Sequence, residues 1–157
     1  MAGELFKMMT GINMTHVPYR GDVQAITDLM GGQVQVYFGT LPASIEYIKA
    51  GHLRALAVTS PSRSEALPNI PTVTEFLPGF EATIWNGLNA PKSTPEEIVD
   101  KLNREINAAL AEPKMVARFA ELGAVPFPGS PRDYAKLVAE DTEKWSKVVK
   151  LSGATAD

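Results

Sequence analysis

The sequence of residues 15–40, THVPYRGDVQAITDLMGGQVQVYFGT, determines which fold class we predict for this chain. Two extended, apolar-rich runs, at residues 16–17 and 34–38, each lead into a turn of small or polar residues. Between the two runs, apolar residues recur at helical spacing over Asp22–Met30. The stretch therefore predicts a strand, a helix and a second strand in succession.

Two turns in this stretch carry groups that suit an anion. The first, PYRG at residues 18–21, precedes the predicted helix, where backbone N–H groups and the positive end of the helix dipole favour negative charge. Arg20 adds a guanidinium there. The second turn, FGT at residues 38–40, would lie beside the first if the two strands are parallel neighbours, since both turns follow the carboxyl ends of their strands. Open α/β sheets bind ligands at that edge. The alternative is that Tyr19 packs, Arg20 pairs with an acid such as Asp22, and the glycines only turn the chain.

Composition limits the class of protein before any motif does. A chain of 157 residues, 45% hydrophobic and 21% charged, is typical of one soluble globular domain. A net charge of −3 without a basic run argues against nonspecific nucleic-acid or anionic-membrane binding. Cysteine is absent, which removes disulfides and thiolate chemistry but leaves the redox compartment open. The first residues predict an amphipathic helix, and neither a signal peptide nor a membrane span is recognisable.

The remaining elements follow from periodicity and from turn residues. Strands alternating with short helices predict parallel pairing and an α/β fold. A proline-rich excursion at residues 60–79, with Thr72 as a helix cap, precedes an extended segment that ends near Ala90. The last third is helical, with start signals at Thr94-Pro95 and Ser130-Pro131. The other predicted elements are helices at Ala2–Thr10 (stopped by Gly11), 43–50, Glu96–Leu110, 113–122 and 132–149, and a strand at 53–59.

No constellation for catalysis or metal binding is present. His16 and His52 are far apart in sequence, and neither has metal-like spacing to another strong ligand. There is no GxSxG elbow, dinucleotide fingerprint or phosphate-binding loop. The acids Glu140, Asp141 and Glu143 share a helix with lysines, which indicates a solvated face. The sequence therefore predicts recognition without chemistry, with no cofactor, no metal and no catalytic residue.

A series of motifs in fixed order resembles one family over essentially the whole chain. These are HVPYRG, DLMGGQVQVYF, IKAGHLRALAVTSPSRSEALPNIPTVTE, WNGLNAPKSTPEEIVDKLN and FAELGAVPFPGSPRDYAKLVAEDTEKWSKVVK. They resemble the Bug, or TctC-like, periplasmic solute-binding proteins of tripartite tricarboxylate transporters. The resemblance implies α/β lobes of the class II periplasmic-binding-protein type, with a parallel-rich sheet and flanking helices. It also implies periplasmic capture of a small organic acid or related polar metabolite for membrane transporter subunits.

Family members are longer, so the resemblance implies a truncated, C-terminal part of one. Residues 1–82 would form most of the second ligand-binding lobe, and residues 83–92 would cross between lobes. Residues 93–157 would return to a first lobe that is otherwise absent. The alternative expectation is a fragment that binds no solute and is held together by self-association through exposed apolar helix faces, as a homo-oligomer.

The resemblance also assigns a binding site. Its residues would be Tyr19, Arg20 and Gly21 after the first strand, and Phe38, Gly39 and Thr40 after the second. Many relatives place Asp or Asn where this chain has Gly39-Thr40, so a hydroxyl and backbone N–H groups would face the ligand's polar end here. Trp85 would either border the cleft or pack as part of the hinge.

Overall fold

The computed structural model of the chain describes residues 1–153, and residues 154–157, the end of the predicted 93–157 segment, lie outside that range. The described residues form six α-helices and a short 3₁₀ helix, Val73–Glu75. The α-helices are α1 (Ala2–Thr10), α2 (Asp22–Met30), α3 (Leu41–Lys49), α4 (Glu96–Leu110), α5 (Pro113–Glu121) and α6 (Pro131–Ser152). The chain divides into two compact units, Met1–Ile84 and Trp85–Asp157. The division falls inside the predicted crossing segment, and the assignment of lobes stays a prediction.

Helix ends follow the local signals in most cases. Gly11 ends α1 in the left-handed conformation with φ 70°, which glycine adopts without strain. Ser130 starts α6 with a capping box, in which its hydroxyl accepts from the Asp133 N–H at 3.2 Å. Helix α3 begins two residues earlier than predicted, since proline in its first turn loses no helical hydrogen bond.

The predicted parallel sheet is not observed among the described residues. Residues 16–17 and 34–38 lack regular secondary structure, and in the described range no backbone hydrogen bond joins them to each other or to residues 53–57. A sheet requires that exchange of N–H and C=O groups between neighbouring strands. The one bridge in the described part is parallel and joins Val58, in the predicted strand 53–59, to Thr72 of the proline-rich excursion. Within residues 1–153 the parallel sheet is therefore not shown, and the predicted strand 53–59 contributes only Val58 to a bridge.

Helix packing and an aromatic cluster form the core of the first unit. Helices α2 and α3 contact each other, and Ile26 and Ile45 are almost completely buried there. Phe6 of α1 lies with its ring 5.7 Å from that of Phe38 and 5.9 Å from that of buried Phe80. Burying a side chain of this size stabilises the folded chain by about 1.5–3 kcal/mol. This core fixes the second turn, because Phe38 belongs to it.

The second unit is held by helix contacts and polar clamps. Helices α4 and α5 contact each other, and Asn107 of α4 fixes the loop before α6. Its side chain donates to the Gly129 carbonyl at 3.0 Å and accepts from the Gly129 N–H at 3.2 Å. Val148 is the one apolar side chain that is buried in the described part of this unit. Apolar residues on α4, including Ile98 and Leu102, are exposed.

No helix within residues 1–153 is long and apolar enough to cross a membrane.

Candidate ligand-binding site

Asp22 links the two turns that the sequence singled out. It is the first residue of α2, directly after the PYRG turn, and its two carboxylate oxygens accept hydrogen bonds from the second turn region. Thr40 Oγ1 donates to Asp22 Oδ2 at 3.2 Å, and Tyr37 Oη donates to Asp22 Oδ1. The structure therefore brings Gly21 and Thr40, predicted members of the site, to the same place.

Two helix N-termini meet at this carboxylate. Gly21 is the N-cap of α2 and Thr40 is the N-cap of α3, and neither end has a side-chain cap. The Thr40 hydroxyl donates to Asp22 and accepts from no N–H group of α3. No side chain among residues 1–153 caps either first turn, so the positive ends of two helix dipoles lie near the Asp22 carboxylate.

Arg20 contributes an available positive charge beside this junction. Its side chain is exposed and forms no hydrogen bond or ion pair with any residue between 1 and 153. The pairing of Arg20 with Asp22, considered from the sequence, is not formed, since Tyr37 and Thr40 occupy the carboxylate. A guanidinium in this state can bind a carboxylate through two parallel N–H donors.

Tyr19 and Phe38 have structural contacts. The Tyr19 hydroxyl donates to Asp28 Oδ2 of α2 at 2.8 Å, and this bond raises the pKa of Tyr19. The ring of Phe38 packs on Phe6, and a Cβ added at Gly3 would lie 3.2 Å from it. Tyr19 thus fixes the first turn to α2, and Phe38 anchors the second turn to α1.

Gly39 has no side chain because Tyr37 occupies the space. A Cβ at Gly39 would lie 1.9 Å from the ring of Tyr37, far inside contact distance. The backbone of Gly39 is not in the left-handed region, so the requirement is steric. Partial burial, followed by the hydrogen bond to Asp22, raises the pKa of Tyr37 well above its ordinary value. Tyr37 therefore keeps its proton at neutral pH.

Asp22 and Tyr37 are the residues that sequence reasoning missed. The alternation of side chains along an extended segment places Tyr37 and Phe38 on opposite sides, so one packs inward and the other does not. From the sequence, Asp22 was considered only as a pair for Arg20. A glycine two positions after Tyr37, on the same side of an extended segment, was the signal that could have identified this contact.

Trp85 lies in the second unit and is packed. Its indole Nε1 donates to Asp141 Oδ2 of α6, and its ring meets that of Tyr134 edge-on at 5.5 Å. Gly87 lies against the same tyrosine, because a Cβ there would be 2.4 Å from the Tyr134 ring. These contacts favour the packed alternative for Trp85. The acid Asp141, which the sequence placed on a solvated face, is its partner.

Comparison with a family model identifies the chain. The family described as tripartite tricarboxylate transporter family receptor matches residues 1–154. The chain belongs to this family. Its members are receptors in transport and not an enzyme family, in agreement with the resemblance given by the sequence motifs.

The proteins similar to this chain include one relative known from its sequence and two with solved structures. Protein BugT of Bordetella pertussis is 40% identical over 152 residues, which cover 96% of this chain and 47% of BugT. An R. palustris structure with adipate has a TM-score of 0.88 at 40% identity, covering 97% of this chain and 51% of that one. MatC from Rhodopseudomonas palustris, with bound malate, has a TM-score of 0.82 at 32% identity, covering 94% and 52%.

These likenesses show the periplasmic-binding-protein-like fold of the receptor family. The chain spans about half the length of each of these three relatives. Among residues 1–153 there is no group of three or more His, Asp or Glu side chains placed to hold a metal ion.

Proposed function

We propose that this chain forms one wall of an extracytoplasmic receptor that captures a small dicarboxylate for a tripartite tricarboxylate-type transporter. The observation that carries the proposal is the junction at Asp22, where the N-termini of α2 and α3 meet close in sequence to the exposed guanidinium of Arg20. Solved relatives support the ligand class, since one is described with adipate and another with malate.

Binding at this site depends on backbone and charge. One carboxylate of the ligand receives N–H groups from the first turns of α2 and α3, and Arg20 closes on it with paired donors. Each helix end contributes roughly 0.3–1 kcal/mol to the binding of an anion at an exposed position. Two helix ends and one guanidinium are needed, because Asp22 carries a negative charge of its own.

Asp22 acts mainly by holding the two turns together. Hydrogen bonds from Tyr37 and Thr40 satisfy both of its oxygens and reduce its effect on a nearby anion. The site acts by binding alone and performs no chemical step. In a protein of the relatives' full length, a second lobe would cover the ligand. For this chain by itself we propose an open half-site with a Kd on the order of 1 mM.

The periplasm is the proposed compartment, and membrane transporter subunits are the proposed partners. Both follow from the family and from a solved relative described as periplasmic binding protein BugD. Thermal-shift measurements with malate, succinate and adipate, each against chloride at equal ionic strength, test the ligand class. We expect a rise in Tm that grows with dicarboxylate concentration, since a ligand that binds only the folded state stabilises it.

Self-association is the second candidate, and exposed apolar residues on α4 and α5 favour it. Ile98 and Leu102 of α4 and Met115 and Val116 of α5 are all exposed. A second copy covering this face would remove it from water. Size-exclusion chromatography with light scattering distinguishes the candidates: a monomer that responds to dicarboxylates supports the receptor function, and an unresponsive oligomer supports self-association.

A further inference from the structure

The hydroxyl groups of Tyr37 and Thr40 have both committed their protons. Each hydroxyl carries one hydrogen, and an ionised carboxylate can only accept hydrogen bonds. Both hydroxyls lie on Asp22, one on each carboxylate oxygen. Tyr37 and Thr40 are therefore the donors in these two bonds, and neither has a second proton to offer to a ligand.

What remains on these two oxygens is acceptor capacity. A hydroxyl oxygen that donates its hydrogen keeps lone pairs that accept from another donor. Tyr37, Thr40 and Asp22 are all partly exposed to solvent. The three side chains together present acceptors and one negative charge to the site.

We call the oxygens of Tyr37, Thr40 and Asp22 the acceptor corner. The surface next to it carries hydrogen-bond donors and positive charge. The N–H groups of α2 and α3 and the Arg20 guanidinium offer donors and positive charge, which suit a ligand carboxylate. A carboxylate placed on the acceptor corner would meet like charge and receive no hydrogen bond. A hydroxyl or ammonium group there would donate to the remaining lone pairs of these oxygens.

We propose that this site selects a dicarboxylate with a hydrogen-bond donor, a hydroxyl or an ammonium group, on its carbon chain, and that Tyr37 and Thr40 determine this specificity. The inference rests on the proposed function and narrows its ligand class. Gly39 is required for the same specificity, because a side chain at position 39 would displace the Tyr37 ring from the position in which its hydroxyl contacts Asp22.

Calorimetric titration of this chain with matched ligands tests the inference. Malate and succinate differ by one hydroxyl, and aspartate and succinate differ by one ammonium group. We expect malate, aspartate or both to bind about fivefold to tenfold more tightly than succinate, the worth of one net hydrogen bond. Tyr37→Phe and Thr40→Val should each bring the malate-to-succinate and aspartate-to-succinate affinity ratios to about two or less, whatever the change in succinate affinity itself.

Tyr47→Phe is the matched control. Tyr47 lies on α3, and its hydroxyl makes no hydrogen bond with the described residues, so this variant should keep the preference of the parent chain. Equal affinity for succinate, malate and aspartate would overturn the donor inference and leave the proposed function intact. No binding of any dicarboxylate would instead contradict the proposed function itself. A preference that survives in both Tyr37→Phe and Thr40→Val would also overturn the inference.

Discussion

The ring of Tyr37 packs directly against the backbone of Gly39, and a Cβ added at Gly39 would lie 1.9 Å from the tyrosine ring. The same ring delivers its hydroxyl to Asp22 at the start of α2. Two turns 18 residues apart in sequence, those of Asp22 and Thr40, are joined through this arrangement. The absence of a side chain at position 39 is therefore a condition for the geometry of the candidate site.

Gly39→Ala should destabilise the first unit by displacing the Tyr37 ring. Inserting a carbon into an occupied space costs about 1–3 kcal/mol, and the hydrogen bond to Asp22 is lost with it. Urea unfolding followed by circular dichroism measures the change in the free energy of unfolding.

The control for Gly39→Ala is the same change made in a Tyr37→Ala chain. With the ring absent, the added methyl group meets nothing that it displaces, and the cost should fall to about 0.5 kcal/mol. An equal cost in both backgrounds would show that Gly39 is required for a reason other than the tyrosine.

Tyr37 should ionise later than an ordinary tyrosine in the folded protein. Its pKa is raised above 10 by partial burial and by the bond to Asp22. Because the folded-state pKa is the higher one, this contribution to stability is complete below pH 10 and is lost as pH rises through the folded value.

Ultraviolet titration from pH 10 upward checks this expectation. Since the chain has four tyrosines, Tyr37→Phe should remove about a quarter of the phenolate signal in unfolding concentrations of urea. In the folded chain near pH 10 the same change should remove much less. A loss of one quarter under both conditions would show that Tyr37 titrates normally.

Glu75 should make the first unit sensitive to acid. Arg63 donates to both of its carboxylate oxygens, and Glu75 also accepts from the Thr72 N–H. The Arg63 guanidinium, followed by that backbone bond, lowers the pKa of Glu75 from 4.5 to about 2. The depressed pKa gives a contribution present above pH 4.5, which is lost as pH falls from 4.5 towards 2.

Glu75→Gln should flatten the decline of the unfolding free energy within that pH window. Glu65→Gln, a change at an exposed residue of the same excursion that forms no ion pair with the described residues, is the matched control and should retain the parent profile. Identical pH profiles for the two variants would contradict the assignment to Glu75.

Asp141→Ala should cost more than the same change at its neighbour Glu140. Asp141 accepts the hydrogen bond of the Trp85 indole, whereas Glu140 faces Lys136 across an exposed 3.8 Å pair. Losing a hydrogen bond to a charged group costs about 1.5–3 kcal/mol, and exposed substitutions usually stay within about 0.5 kcal/mol. Chemical unfolding of both variants gives the comparison, and equal losses would show that the Trp85 contact contributes nothing.

Sequence reasoning reached the helices because their signals are local. The glycine at position 11 and the capping box of Ser130 specify helix ends through neighbouring atoms alone. Pairing of extended segments depends on residues far apart in the chain, and the parallel sheet was predicted from alternation without any such information. The structure pairs Val58, near the end of the predicted strand 53–59, with Thr72 of the proline-rich excursion.

The candidate site was predictable at the level of turns but not of side-chain roles. Arg20 and Gly21 could be placed at the start of α2, because helix N-termini attract anions irrespective of packing, whereas Thr40 was predicted as a turn residue and not as the N-cap of α3. The role of Asp22 depends on Tyr37 reaching it across 15 residues, which requires the space left at Gly39. No sequence periodicity carries that information.

Malate titration of this chain and of its Arg20→Gln variant tests the central claim most directly. The matched control is Arg54→Gln, since Arg54 lies in the same unit, is exposed and forms no ion pair with the described residues. The receptor account predicts saturable malate binding that Arg20→Gln weakens about tenfold and Arg54→Gln leaves unchanged. Absence of malate, succinate and adipate binding in the parent chain, or equal weakening by both variants, would contradict it.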